Sequence, residues 1–73
     1  MPHIDVNLYP GRTKEMKQEI AQKLVAFLSK ECGMPEKSLS VSFSEYAAEE
    51  FADKVAQKVA PEDVYISSEF LKK

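Results

Sequence analysis

The sequence has a single cysteine, Cys32, a single histidine, His3, a single arginine, Arg12, no tryptophan and only two glycines, Gly11 and Gly33. One cysteine excludes an internal disulfide framework, and one Cys with one His cannot supply the ligand spacing of a structural zinc site. Two isolated glycines make no phosphate-cradling loop, so no nucleotide cofactor is expected. No apolar run approaches the ~18 residues of a membrane span. Met1-Pro2-His3 opens no basic-then-apolar signal segment. Ten basic and twelve acidic residues leave a formal charge of -2, with the two signs interleaved, a pattern that speaks against a nucleic-acid partner. These absences together predict a cytoplasmic protein without metal or cofactor, in which Cys32 is a reduced, half-buried thiol and no nucleophile.

A chain of 73 residues is expected to form one domain, residues 1–73, with a thin core. Domains of this size bury only ~60% of the surface exposed by the unfolded chain. Disulfides, metals or subunit association usually make up that deficit. With the first two excluded, association remains.

What is present is a pair of alternating segments around a helical one. From His3 to Tyr9, Ile4, Val6 and Leu8 fall on one side and His3, Asp5, Asn7 and Tyr9 on the other, the pattern of a half-buried strand. Pro10-Gly11 ends it, and Thr13 is suited to cap a helix because its hydroxyl accepts from an orphan amide of the first turn. Glu15 suits the positive end of the helix dipole. Met16, Ile20, Leu24, Phe27 and Leu28 then follow helical spacing to about Cys32, where Gly33 and Pro35 stop the helix. Leu39, Val41 and Phe43 alternate with Ser38, Ser40, Ser42 and Ser44, giving a strand with one apolar and one hydroxyl face. Strand, helix and strand make a βαβ unit with parallel strands and a right-handed crossover, the helix covering the apolar face.

Beyond it, Phe51, Val55 and Val59 with Ala48, Ala52 and Ala56 predict a second helix from about Ala47 to Val59, closed by Pro61. Val64 to Ile66 has strand character, and Phe70 and Leu71 before the charged finish suggest a segment that docks. The fold class is therefore α/β (α+β): one βαβ unit, a second short helix and a C-terminal segment. Two strands leave open edges, so two such sheets are expected to join across a dimer.

Two residues stand out chemically. Pro2, once Met1 is removed, bears a secondary amine with no peptide bond; a chain that keeps Met1 locks it in an amide. Ordinary α-amino groups titrate near ~7.7–8.0, and desolvation favours their neutral, basic form. A base held at the start of a strand sits on a rigid element, where precise placement is achievable. Arg12 lies at the strand-to-helix turn, beside amides that favour anions, and its planar guanidinium grips a carboxylate through two parallel hydrogen bonds. The bland alternative for Arg12 is a solvated surface arginine. His3 and Asp5, two residues apart on one strand face, lack a third metal ligand and read as surface polarity. Tyr9, Tyr46 and Tyr65 fit a pocket wall or a subunit interface equally well.

Pro2 leading an alternating strand, Gly11-Arg12-Thr13 opening the long helix, Pro35 before the second strand and Phe51 beyond it resemble the 4-oxalocrotonate tautomerase family over about the first fifty residues. The opening Met1-Pro2-His3-Ile4-Asp5 and the Ala60-Pro61 step are similar to its shorter branch of dimeric, PptA-type tautomerases. The resemblance implies a cofactor-free isomerase, with Pro2 as general base and acid that moves a proton along a conjugated enol. Arg12 is implied to hold the substrate carboxylate or polarise its carbonyl. Phe51 is implied to supply an apolar wall that lowers the amine pKa; its alternative is core packing of the second helix.

Hexameric relatives place a second arginine where this chain has Ser40, which offers only a neutral hydrogen bond. That departure disfavours a dicarboxylate and favours a small monocarboxylate enol of the phenylenolpyruvate kind as substrate. It also favours a homodimer over a hexamer, because the polar face of His3, Asp5, Asn7, Ser40 and Ser42 offers little apolar surface for stacking dimers. Two alternatives stay open: a dehalogenase- or hydratase-like member of the same superfamily, and a non-catalytic oligomeric binding protein on the same scaffold.

Overall fold

A computed structural model describes residues 1–71. It contains strands β1 (His3–Leu8) and β2 (Ser40–Glu45) and helices α1 (Lys14–Cys32) and α2 (Phe51–Lys58). Single 3-10 turns occur at Glu36–Ser38, Pro61–Asp63 and Glu69–Leu71. The strands form a two-stranded sheet. They run parallel: the Ser40 amide donates to the Pro2 carbonyl at one end and the Tyr46 amide to the Leu8 carbonyl at the other. The βαβ unit with a second short helix is thus the observed architecture. The described chain divides into two compact units, one of Met1–Val6 with Gly11–Ser44, the other of Asn7–Pro10 with the residues from Glu45 onward.

In the first unit, local chemistry sets both ends of α1. Thr13 is extended, with φ -74° and ψ 166°, and its hydroxyl accepts from the Met16 amide at 3.1 Å. Gly33 takes the left-handed conformation with φ 73°, which a residue with a Cβ adopts only under strain. The amides of Gly33 and Met34 both turn back to the Leu28 carbonyl, so the last turn is closed rather than frayed. α1 and the start of β2 border a shallow groove of about 380 Å³ lined by Val25, Ala26, Leu39, Ser40 and Val41 among others.

The apolar face of α1 is less covered than its spacing predicts. Ile20, Leu24 and Leu28 are half-buried, but Met16 is 49% and Phe27 59% exposed. Two strands ~4.8 Å apart are narrower than a helix ~10 Å across, so one sheet of this width cannot cover a full helical stripe. Cys32 is exposed as well, which corrects the expectation of a half-buried thiol: it ends the helix and has helical neighbours on one side only. The second strand begins at Ser40 rather than at Ser38, because Ser38 closes the 3-10 turn with its hydroxyl on the Pro35 carbonyl at 2.8 Å.

The second unit is organised around α2. Val55 is the one buried residue among those described, at 8% exposure. It shares an apolar cavity of about 300 Å³ with Val59, Val64 and Leu71. The helix starts at Phe51, four residues later than predicted. Ala47 to Glu50 offers no capping side chain, and the chain tightens there into shorter bonds from Glu50 to Ala47 and from Phe51 to Ala48, the geometry of a 3-10 turn. Lys58, at the other end of α2, donates to Asn7 Oδ1 at 3.0 Å and stands 5.0 Å from the centre of the Tyr46 ring.

Val64 to Ile66 forms no strand, contrary to its composition. Tyr65 and Ile66 are 95% and 92% exposed, and β-branched residues without a ladder partner have no strand to join. Phe70 nonetheless docks, its ring edge-on to Tyr9 at 6.0 Å. The charged finish, residues 72 and 73, lies outside the described residues. No helix among the described residues is long and apolar enough to cross a membrane.

Candidate active site

Pro2 is half-buried, and its carbonyl accepts the Ser40 amide at 3.4 Å. The sheet ladder thus reaches the residue before the first strand and anchors it. Met1, one residue earlier, is fully exposed. Arg12 is exposed between Gly11, whose φ of 129° lies in a region that favours glycine, and the helix cap Thr13. Among the described residues its guanidinium has no hydrogen-bond or ion-pair partner. It is therefore available to an anion at the mouth of α1.

Ser40, the first residue of β2, is the predicted site residue that the structure brings directly against Pro2, through that amide. Its hydroxyl lies 2.6 Å from His3 Nδ1. Phe51 belongs to the second unit and opens α2, half-buried, with its ring edge-on to Tyr9 at 5.2 Å and 87°. Core packing of α2 is thus part of what Phe51 does.

The wiring of the polar sheet face goes beyond the solvated polar surface expected of His3 and Asp5. His3 Nε2 lies 2.9 Å from Ser42 Oγ, Ser42 Oγ donates to Asp5 Oδ1 at 2.8 Å, and Ser44 Oγ reaches both Asp5 oxygens at 3.0 and 2.9 Å. Each polar residue of β1 in this stretch sits between two serines of β2. The signal was present: alternation on both strands, combined with a parallel register, places two polar rows side by side. Among the described residues no three His, Cys, Asp or Glu side chains group so as to hold a metal.

Chemically, the first unit carries an anchored proline before β1, a row of fixed hydroxyls along the polar face of the sheet and, beyond the opposite end of β1, an unengaged guanidinium at the mouth of α1; the structure does not bring Pro2 and Arg12 together within one chain. A guanidinium is suited to an anion and hydroxyls to polar groups. A family model described as tautomerase enzyme matches residues 2–56. Tautomerase PptA of Pectobacterium carotovorum is 43% identical over 56 residues, which cover 75% of this chain and 74% of that protein. A probable tautomerase of Bacillus cereus is 35% identical over 52 residues, 71% of this chain and 85% of that protein. Among solved structures, TomN, a 4-oxalocrotonate tautomerase homologue in the tomaymycin biosynthetic pathway, superposes with a TM-score of 0.61. It is 27% identical, over 66% of this chain and 74% of its own.

Proposed function

The chain belongs to the tautomerase family, and from that premise we propose that it is a cofactor-independent enol–keto tautomerase whose base is the amine of Pro2 after loss of Met1. The observation that carries this reading is the anchoring of Pro2 by the Ser40 amide, in a chain whose family match begins at that proline. Pro2 takes a proton from the enol hydroxyl or from carbon next to a carbonyl and returns it further along the conjugated system, so no redox partner or cofactor is needed. Arg12 binds the substrate carboxylate or polarises the carbonyl oxygen as charge develops there.

The favoured substrate is a small monocarboxylate enol of the phenylenolpyruvate kind, because Ser40 brings no positive charge to the far end of the site. We place the enzyme in the cytoplasm as a homodimer. Exposed Met16 and Phe27 on α1, together with one buried residue among those described, support a partner copy that completes the core.

The test is a panel of small enol acids, unsaturated keto acids, halogenated acids and β-keto acids, offered to protein whose mass shows that Met1 is absent. Ketonisation of the enol acids as the fastest reaction supports the proposal. Faster dehalogenation or decarboxylation replaces it with hydration chemistry, and no turnover of any of them leaves a binding protein.

A further inference from the structure

The hydroxyls on the polar face of the sheet are not free to point anywhere. A serine has one proton to donate, and Ser42 gives its own to Asp5 Oδ1. Only its lone pairs are left for His3 Nε2, 2.9 Å away, and that contact is a hydrogen bond only when Nε2 carries the proton. A neutral imidazole protonated at Nε2 has an accepting Nδ1. Ser40 Oγ, 2.6 Å from Nδ1, is then the donor of that bond, and its single proton is directed into the ring. Ser44 closes the row by pinning both oxygens of Asp5.

We infer that the Asp5–Ser42–His3 relay fixes Ser40 as a hydrogen-bond acceptor, so that Ser40 selects substrates whose end distal to the reacting carboxylate is a neutral donor, such as a phenol, over those bearing a second carboxylate. The inference rests on the reading of Ser40 as a substrate-binding residue. It goes beyond the missing charge at this position: a hydroxyl whose proton is already committed turns lone pairs toward the substrate, and lone pairs repel a carboxylate while accepting from a phenol. His3, Ser42 and Asp5 act through Ser40 and are positioning residues.

Two measurements on Met1-free protein test it. His3 is the only histidine, so long-range proton–nitrogen correlation spectra of labelled protein assign its ring nitrogens without ambiguity. Recorded where the spectrum shows a neutral ring, they are expected to show the Nε2–H tautomer; the Nδ1–H tautomer or an even mixture overturns the relay. The second measurement is the ratio of kcat/KM for the enols of phenylpyruvates carrying a para-hydroxyl or a para-carboxylate. In Ser42→Ala that preference for the phenol should fall by roughly 3- to 10-fold, mostly through KM, the scale of one hydrogen bond. Ser42→Thr, which keeps a hydroxyl, should restore it. A ratio unchanged in both Ser42→Ala and Ser40→Ala overturns the selection. Absence of enol ketonisation by the wild type overturns the proposed function and the selection with it, while the tautomer still decides the relay.

Discussion

The two units of this chain are ordered by different forces. In the first, direction comes from hydrogen bonds: the Thr13 cap, the Gly33 turn and the ladder of His3 and Asp5 with Ser40, Ser42 and Ser44. In the second, position comes from packing: Val55 in its apolar cavity and the rings of Phe51 and Phe70 edge-on to Tyr9. Hydrogen bonds in exposed or half-buried places contribute little net stability but strong directionality, whereas apolar burial stabilises without aiming anything. The first unit is therefore suited to hold the proposed base at a defined angle, and the second is where the fold obtains much of its cohesion.

Substitutions in the first unit should accordingly change kinetics, and those in the core of the second should change stability. The largest effect is expected for Pro2→Ala, a loss of about 10²- to 10⁴-fold in kcat, the contribution of a positioned general base, with an unaltered melting curve. Wild-type turnover in that variant excludes the base. Arg12→Ala should raise KM for carboxylate substrates by roughly 10- to 100-fold, the scale of a charge-assisted hydrogen-bonded pair. Their methyl esters should be much less affected, and equal losses for acids and esters argue against a clamp.

Val55→Ala is expected to destabilise the fold by about 2 kcal/mol in denaturant titrations, with little change in kcat for the molecules that remain folded. A large kcat defect at full folding would erase the division between the units. The smallest effect belongs to Gly33→Ala. An added Cβ meets no atom within 4 Å, so its cost is only the left-handed backbone, about 1 kcal/mol. A neutral outcome would mean that the end of α1 relaxes into another turn.

Much of the first unit was legible in the sequence, because its signals are local. Thr13, Gly33 and the alternation of Ile4, Val6 and Leu8 each act on neighbours along the chain, and the structure places the cap, the turn and the strand where those residues predict them. The second unit was less legible. Val64, Tyr65 and Ile66 carry strand propensity, which becomes a strand only with a partner edge, and the start of α2 depended on capping that Ala47 to Glu50 does not supply. The exposure of Cys32, Met16 and Phe27 follows from the width of the sheet, a property of the whole unit rather than of any segment. Of the candidate site, Pro2 and Arg12 were singled out by the chemistry each residue type allows, and Ser40 by the family resemblance. The bonding of His3 and Asp5 escaped because it needs the register of two strands far apart in sequence.

A kinetic comparison of two forms of one chain tests the central claim most directly. Protein beginning at Pro2 and protein retaining Met1, separated and identified by intact mass, are assayed on the same small enol acid. Activity should follow the fraction of chains with a free proline amine and vanish in the Met1-retaining form. Equal rates in the two forms would contradict the account, since the lone pair of an acylated ring nitrogen is delocalised into the carbonyl and does not act as a base.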